Sequence, residues 1–343
     1  MRNKKAFEIQ FNWIFVLVAG AAIMLFFTAV IVKQKSLSEA SSQSIVLKSI
    51  EAIVTSAGVS TDTTSIIGIP DSDIEAGCGR IALGKASRQY QSLILFSPNK
   101  ITGDKLVMQT LAFSIPYRAT NLLYMTSPKV RYIIITGNKN DYKNLAKDIN
   151  KTLPSSIEKE YHETIPSIKD KNNPQIKLII LGDIGANDIS LAGLNKMKDQ
   201  DVTAIKATIT GPNRGGIEFY QKANSVFELK GRSQYLTKAG LMGAVYSNSM
   251  ELYECSMKNA FQRLGLVTKV YNERRNKLVK DPPASQREGQ CNQLYNQARS
   301  PLLEIERKSS EFNIANSDSI AGAADALAGM NKRLQELSCP LIY

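Results

Sequence analysis

The first hydrophobic pattern in the chain has no periodicity: from Trp13 to Val32, WIFVLVAGAAIMLFFTAVIV, no position carries a charge. Twenty residues at about 1.5 Å each reach across a hydrocarbon core of roughly 30 Å, which predicts a transmembrane helix. Behind it, Ser36-Leu37-Ser38-Glu39 has capping-box spacing, and Ile45, Ile50, Ile53, Val54 and Ala57 recur at helical intervals until Gly58. This predicts a juxtamembrane helix, followed by a Ser/Thr linker over Ser60 to Ser65. From Thr64 the texture becomes short β-rich runs between turn residues.

Ile66 to Ile69, Arg80 to Leu83 and Gln91 to Phe96 are expected strands, and Thr102 through Phe113 an expected short helix ending before Pro116. Val130 to Thr136, Ile157 to Ile165, Gln175 to Leu181 and Val202 to Thr210 follow as strands. Helices are expected between them at Asp141 to Leu153 and Asn187 to Lys198. This alternation predicts an α/β class with a Rossmann-like mixed or parallel sheet. Gly211 to Gly216 then turns the chain into Ile217 to Gln221, an antiparallel edge hairpin.

After Ser233 a heptad seam takes over: Gly243, Tyr246, Met250, Tyr253, Met257, Ala260, Leu264, Val267 and Tyr271. It resumes from Cys291 to Phe312 and again from Ile320 to Leu337, predicting a C-terminal three-helix antiparallel part. Gly265 and Pro301 are positions able to split or kink these helices. The expected organisation is a tail over 1–12, a transmembrane helix over 13–32 and a juxtamembrane helix with linker over 33–63. An α/β domain over 64–232 and a helical domain over 233–343 complete it.

Composition changes this picture in two places. Of 343 residues, 43% are hydrophobic and 22% charged, ordinary for a folded protein. The net charge of +12 suits an anionic partner, but Lys and Arg are spread along the chain, which argues against a dedicated nucleic-acid surface. The four cysteines, Cys78, Cys255, Cys291 and Cys339, include no CxxC pair, so a zinc knuckle is not indicated. In an extracytoplasmic domain they read as two disulfides. If the second and third helices fold back about a hinge near Asn313 to Ser317, Cys291 and Cys339 come level. Cys78 then pairs with Cys255 and ties the helical part to the α/β part.

Arg2, Lys4 and Lys5 precede the apolar run, against Lys33 and Lys35 behind it, so the positive-inside rule places the N-terminus in the cytoplasm and the main domain outside. A cleaved signal peptide is the rival. Its apolar region is shorter, about 7–15 residues, and Ser38-Glu39-Ala40 is a poor cleavage site. The segment FEIQFNWIFVLVAGAAIMLFF, Phe7 to Phe27, resembles the N-terminal anchor of uncharacterised single-pass membrane proteins from small-genomed archaea. The resemblance covers that segment alone and implies location, not activity.

For chemistry, open α/β sheets bind ligands beyond the carboxyl ends of their strands, so the loops there supply the candidates. They are Asn138 and Lys139, Asp183 and Asn187, and Asn213 and Arg214. Glycines in these loops permit close backbone approach, and Asp183 follows a buried strand where a carboxylate can hold a metal or a ribose. Asp141 and Asp188 are better explained as helix N-caps. Neither a GxGxxG nor a Walker A motif is present, so no cofactor is assigned and no residue is assigned as catalytic or as a metal ligand. His162, between Glu160 and Glu163, is expected on an exposed strand face. Arg274, Arg275, Lys277 and Lys280 could meet phosphates or anionic glycans, with a solvated helix end as the plainer reading.

Two functions follow from this reading. One is a membrane-anchored extracytoplasmic interaction or structural protein, whose partners are the bilayer, through Trp13 to Val32, and other envelope proteins. The other is a membrane-tethered binding protein or enzyme that uses the strand-end loops on a nucleotide, sugar or other anionic ligand.

Overall fold

The computed structural model describes residues 5–57, 60–69, 73–84, 86–90, 93–281, 288–310 and 316–343. It is a mixed α/β structure; among these residues there are seven α-helices and three sheets that combine parallel and antiparallel pairs. The first helix, α1, runs unbroken over Lys5–Ala57, 53 residues or about 80 Å. The capping-box spacing at Ser36 therefore does not start a second helix. Within α1, Val16–Lys35 is long and apolar enough to cross a membrane and has no buried position. By length and composition it qualifies as an anchor or as a signal sequence.

Past that stretch α1 docks. Leu47 and Ile50 are fully buried in a core shared with Ile74, Ile81, Leu106 and Met125. Glu51 pairs with Arg88, and the Tyr90 hydroxyl donates to the Leu47 carbonyl at 3.3 Å. Two four-stranded sheets supply the rest of this core. One contains β1 (Thr64–Gly68), β5 (Leu95–Phe96), β7 (Lys105–Ser114) and β8 (Arg118–Thr126), in the order β1-β7-β8-β5. The other contains β2 (Ile74–Gly77), β3 (Arg80–Leu83), β4 (Ala86–Gln89) and β6 (Lys100–Ile101), in the order β4-β3-β2-β6.

The strand β7 corrects the helix expected over Thr102 to Phe113. Its two faces enter different cores, Leu106 and Met108 on one side and Val107 and Phe113 on the other. A strand buried on both faces loses the alternation that identifies strands and resembles a helical run. It pairs with β8 across a turn containing a cis Ile115-Pro116 bond. The strand expected over Gln91 to Phe96 is confined to Leu95–Phe96 in the described residues, with Gln91 and Ser92 outside them.

The third sheet has six strands in the order β10-β9-β11-β12-β13-β14: β9 (Val130–Thr136), β10 (Glu158–His162), β11 (Gln175–Leu181), β12 (Val202–Ala207), β13 (Arg214–Ala223) and β14 (Val226–Leu236). The first four in that order are mutually parallel, and β13 and β14 add antiparallel to them. Every residue of β9 and β11 is buried, which explains why both strands are predominantly apolar, with Arg131 and Lys177 as their charged exceptions. Helix α2 (Asn140–Thr152) crosses from β9 to β10, with Ala146 and Ile149 in the core.

The helix expected over Asn187 to Lys198 is absent. Single 3-10 turns at Ala186–Asp188 and Ala192–Leu194 take its place. A Cβ on Gly193 would collide with the Ile168 carbonyl, and Ile168, Ile189, Leu191 and Leu194 pack together. The connection thus covers the sheet with packed side chains in place of a helical stripe. The strand expected over Ile217 to Gln221 is longer, Arg214–Ala223, and it is not the edge: a further strand that the pattern did not indicate, β14, pairs outside it and runs past the expected boundary at 233 to Leu236.

Five helices remain: α3 (Thr237–Tyr246), α4 (Met250–Lys280), α5 (Glu288–Gln297), α6 (Arg299–Ser310) and α7 (Ser317–Glu336). The seam from Gly243 to Tyr271 is interrupted at Ser247, Asn248 and Ser249. The Ser247 carbonyl is bound by Lys177, Asn248 accepts from the Asn99 N–H at 2.9 Å, and Ser249 caps α4 through Leu252. Two hydrogen bonds from distant segments and one local cap take the place of a helical turn here. Gly265 leaves α4 intact, whereas α5 and α6 separate at Ala298, just ahead of Pro301. Cys291 and Cys339 form one disulfide and Cys78 and Cys255 the other, each with Cα atoms 5.9 Å apart.

Candidate functional site

The chain leaves β9 towards β10 and returns on the other side as β11, so the carboxyl ends of β9 and β11 flank a topological switch point. There Lys139 Nζ meets Asp183 Oδ2 at 2.7 Å, joining the two loops. That hydrogen bond, and then the charge of Asp183, hold the Lys139 ammonium above its ordinary range. Both side chains are about two-thirds exposed or more, at 66% and 73%. Beneath them Tyr142 fills the crevice. Its ring lies against Gly182, where φ is 89° and a Cβ would come within 3.1 Å of the ring. Its hydroxyl accepts the Ile209 N–H at 3.4 Å, spanning the ends of two strands.

The other predicted residues are engaged elsewhere. Asn187 accepts the Phe227 N–H at 3.2 Å and holds the start of β14. Asn213 occupies a left-handed turn position, φ 54°, with its carbonyl bound to the Thr237 N–H at 2.7 Å. Arg214 reaches Asp318 of α7 at 3.6 Å, and Asn138 is exposed. Asp188 accepts the Gly185 N–H at 2.7 Å, while Asp141 lies in the first turn of α2, whose N-cap is Lys139. Of the six candidates, the structure brings Lys139 and Asp183 together. Substituting Asp183 by Asn should leave the thermal midpoint unchanged, since an exposed pair contributes little; a marked loss in circular-dichroism melting would show a structural role for the pair.

His162 is half-exposed at the rim of a clasp on the β9–β10 edge. The buried Arg131 grips Glu160 with two bonds of 3.0 and 2.9 Å, and Lys171 adds a third at 2.6 Å. Burial raises the Glu160 carboxyl, but the hydrogen bonds from Arg131, Lys171 and His162 outweigh it and hold the group at about 2. Its permanent charge fixes an edge strand.

A second polar site lies at the opposite, amino ends of the strands. A narrow cleft of about 10 Å³, room for no more than a single water, is lined by Tyr132, Lys177, Asp201, Thr203, Tyr246 and Asn248, among others. Lys177 projects from the central strand into the core, 4% exposed. Its Nζ donates to the Ser247 carbonyl at the end of α3 and lies 5.8 Å from the centre of the Phe219 ring. Burial drives it from an ordinary 10.5 to about 7, and burial raises Asp201 in the same crevice. Groups pushed in opposite senses inside one cleft mark a candidate site for proton-dependent chemistry or binding.

Lys177 carries a signal in the sequence, although it lies away from the strand-end loops. It is a charged residue in phase with Ile179 and Leu181 on a strand with no exposed face. Among the described residues no group of three or more His, Cys, Asp or Glu side chains could hold a metal ion. No protein-family model, no curated protein and no solved structure matches the chain.

Proposed function

We propose that the protein is a membrane-anchored extracytoplasmic interaction or structural protein of the cell envelope. The observation that carries this reading is the continuity of α1. The exposed apolar stretch Val16–Lys35 and the docked Leu47 belong to one helix, about 18 Å apart along its axis. A globular body held this way is displayed at a set distance from the bilayer. Two disulfides support an oxidising compartment, and the Tyr142 plug with the exposed Lys139–Asp183 pair weighs against a ligand at the strand ends. The order β10-β9-β11-β12 supports a Rossmann-like parallel half, and we read α4, α5 with α6, and α7 as its three-rod antiparallel companion.

On intact expressing cells, a membrane-impermeant amine reagent should label the body, and carbonate washing should leave the chain in the membrane. Release of a shortened chain into the medium would make 13–32 a signal sequence, and labelling only after lysis would reverse the topology. The opposite shifts of Lys177 and Asp201, which line one narrow cleft, favour a second reading, a tethered ligand-binding protein or enzyme. Thermal-shift screening with nucleotides and sugars, compared between the native chain and Lys177→Met, tests it.

A further inference from the structure

The basic end of α4 contains a charge that nothing among the described residues neutralises. Arg275 is 5% exposed, on a helix that packs against α5 and α6. Its Nη2 reaches only the neighbouring Asn276 side chain, and its Nε is buried with no acceptor. One turn earlier on the same face, Asn272 Oδ1 is buried with no donor. Gly265 of α4 lies beside Ser309 and Glu306 of α6, and the antiparallel register from there sets Arg275 level with the α5–α6 junction at Arg299. Electrostatics agrees with that placement: burial first, and then the charge of Arg299, holds Arg275 below the ordinary range of a guanidinium. Among the described residues the ion pairs that touch these helices are Arg307–Glu304 within α6 and Arg214 of β13 with Asp318 of α7, and neither involves Arg274, Arg275 or Arg299.

Two like charges brought together, one of them desolvated, are unfavourable unless an anion lies between them. We propose that Arg275 and Arg299, with Arg274 at the rim, form a binding site for a phosphate group. Charge decides between oxyanions: a phosphate monoester carries about −1.5 to −2 at neutral pH and balances two guanidiniums, where a carboxylate balances one. Geometry agrees, since the guanidinium fork presents paired donors to neighbouring phosphate oxygens. The Asn272 amide, turned so that Nδ2 faces the site, supplies a further donor. The phosphate can be free or carried on a lipid headgroup. This site lies apart from the crevice at Lys177 and does not depend on the membrane-anchor reading.

The test uses the full chain in neutral detergent, with added phosphate compared against chloride at matched ionic strength. Saturating inorganic phosphate should raise the thermal midpoint by about 2–4 °C beyond the chloride control. Arg299 is exposed and its charge opposes that of Arg275, so Arg299→Gln should have a phosphate-free midpoint at or above the native one, yet weaken phosphate binding by about tenfold or more. Arg275→Gln should abolish the response. Micelles doped with phosphatidic acid form the second arm, and a response there without one to inorganic phosphate assigns the group to a lipid. Equal shifts with phosphate and chloride, together with no phosphatidic acid response, would overturn the site, leaving a water between Arg275 and Asn272. A response that survives in Arg299→Gln would overturn it equally.

Discussion

Replacing Cys78 and Cys255 together by serine should lower the unfolding free energy by about 5 kcal/mol. The bridge joins residues 177 apart, and closing so long a loop removes much of the entropy of the unfolded chain. The Cys291–Cys339 bridge spans 48 residues, for which the same reasoning gives about 4 kcal/mol. The two losses differ in place more than in size. Cys78 sits in the β2–β3 turn and Cys255 on α4, so this bridge fastens the sheet that receives α1 to the helical half. Cys291 and Cys339 secure the end of α7 to α5. Urea unfolding followed by circular dichroism measures the totals, and hydrogen exchange locates them. Loss of protection in β2 and β3 ahead of the rest is expected for the first variant. A loss below about 1 kcal/mol would mean that packing alone holds the two halves together.

The second large effect is the pH dependence imposed by Lys177. Its folded value of about 7 lies below its ordinary 10.5, so between those limits the unfolded chain binds the proton that the folded chain releases. Stability therefore rises with pH across that window, by at most about 1.4 kcal/mol per unit, and is lost again as pH falls towards 7. Lys177→Met removes the burial cost of the ammonium and leaves the Ser247 carbonyl without its donor, a cost of about 1–3 kcal/mol. On balance the variant should be more stable than the native chain at pH 6, and the difference should shrink and reverse by pH 10. Urea midpoints at pH 6, 8 and 10 give the comparison. Parallel curves for the two proteins would show that Lys177 does not titrate in this range.

Lys177 also shows where sequence patterns stop. The strands β9 and β11 were legible because a parallel strand covered on both sides is mostly apolar, with Arg131 in β9, paired to Glu160, and Lys177 in β11 as the charged exceptions. The disulfide partners were legible because an antiparallel pair of helices sets Cys291 level with Cys339. Strand β7 was not, since the cores on its two faces come from segments far away in the chain. The α3–α4 elbow was not either. Its apolar seam is continuous, and the interruption depends on Lys177, 70 residues earlier, reaching the Ser247 carbonyl. For the candidate site, the sequence indicated the loops that meet at the switch point. It could not show that Tyr142 fills the space between them.

Local pattern was enough for the apolar helix at the N-terminus, for the buried parallel strands and for the pairing of the cysteines. Each of these rests on composition or periodicity within one or two segments. The docking of α1 through Leu47 and Ile50, the two-faced burial of β7, the crevice at Lys177 and the buried Arg275 with no counter-ion among the described residues were decided by tertiary structure. In each, the energetics of one side chain depends on groups from other elements, through desolvation, a shared core or a neighbouring charge, and such relations have no period in the chain.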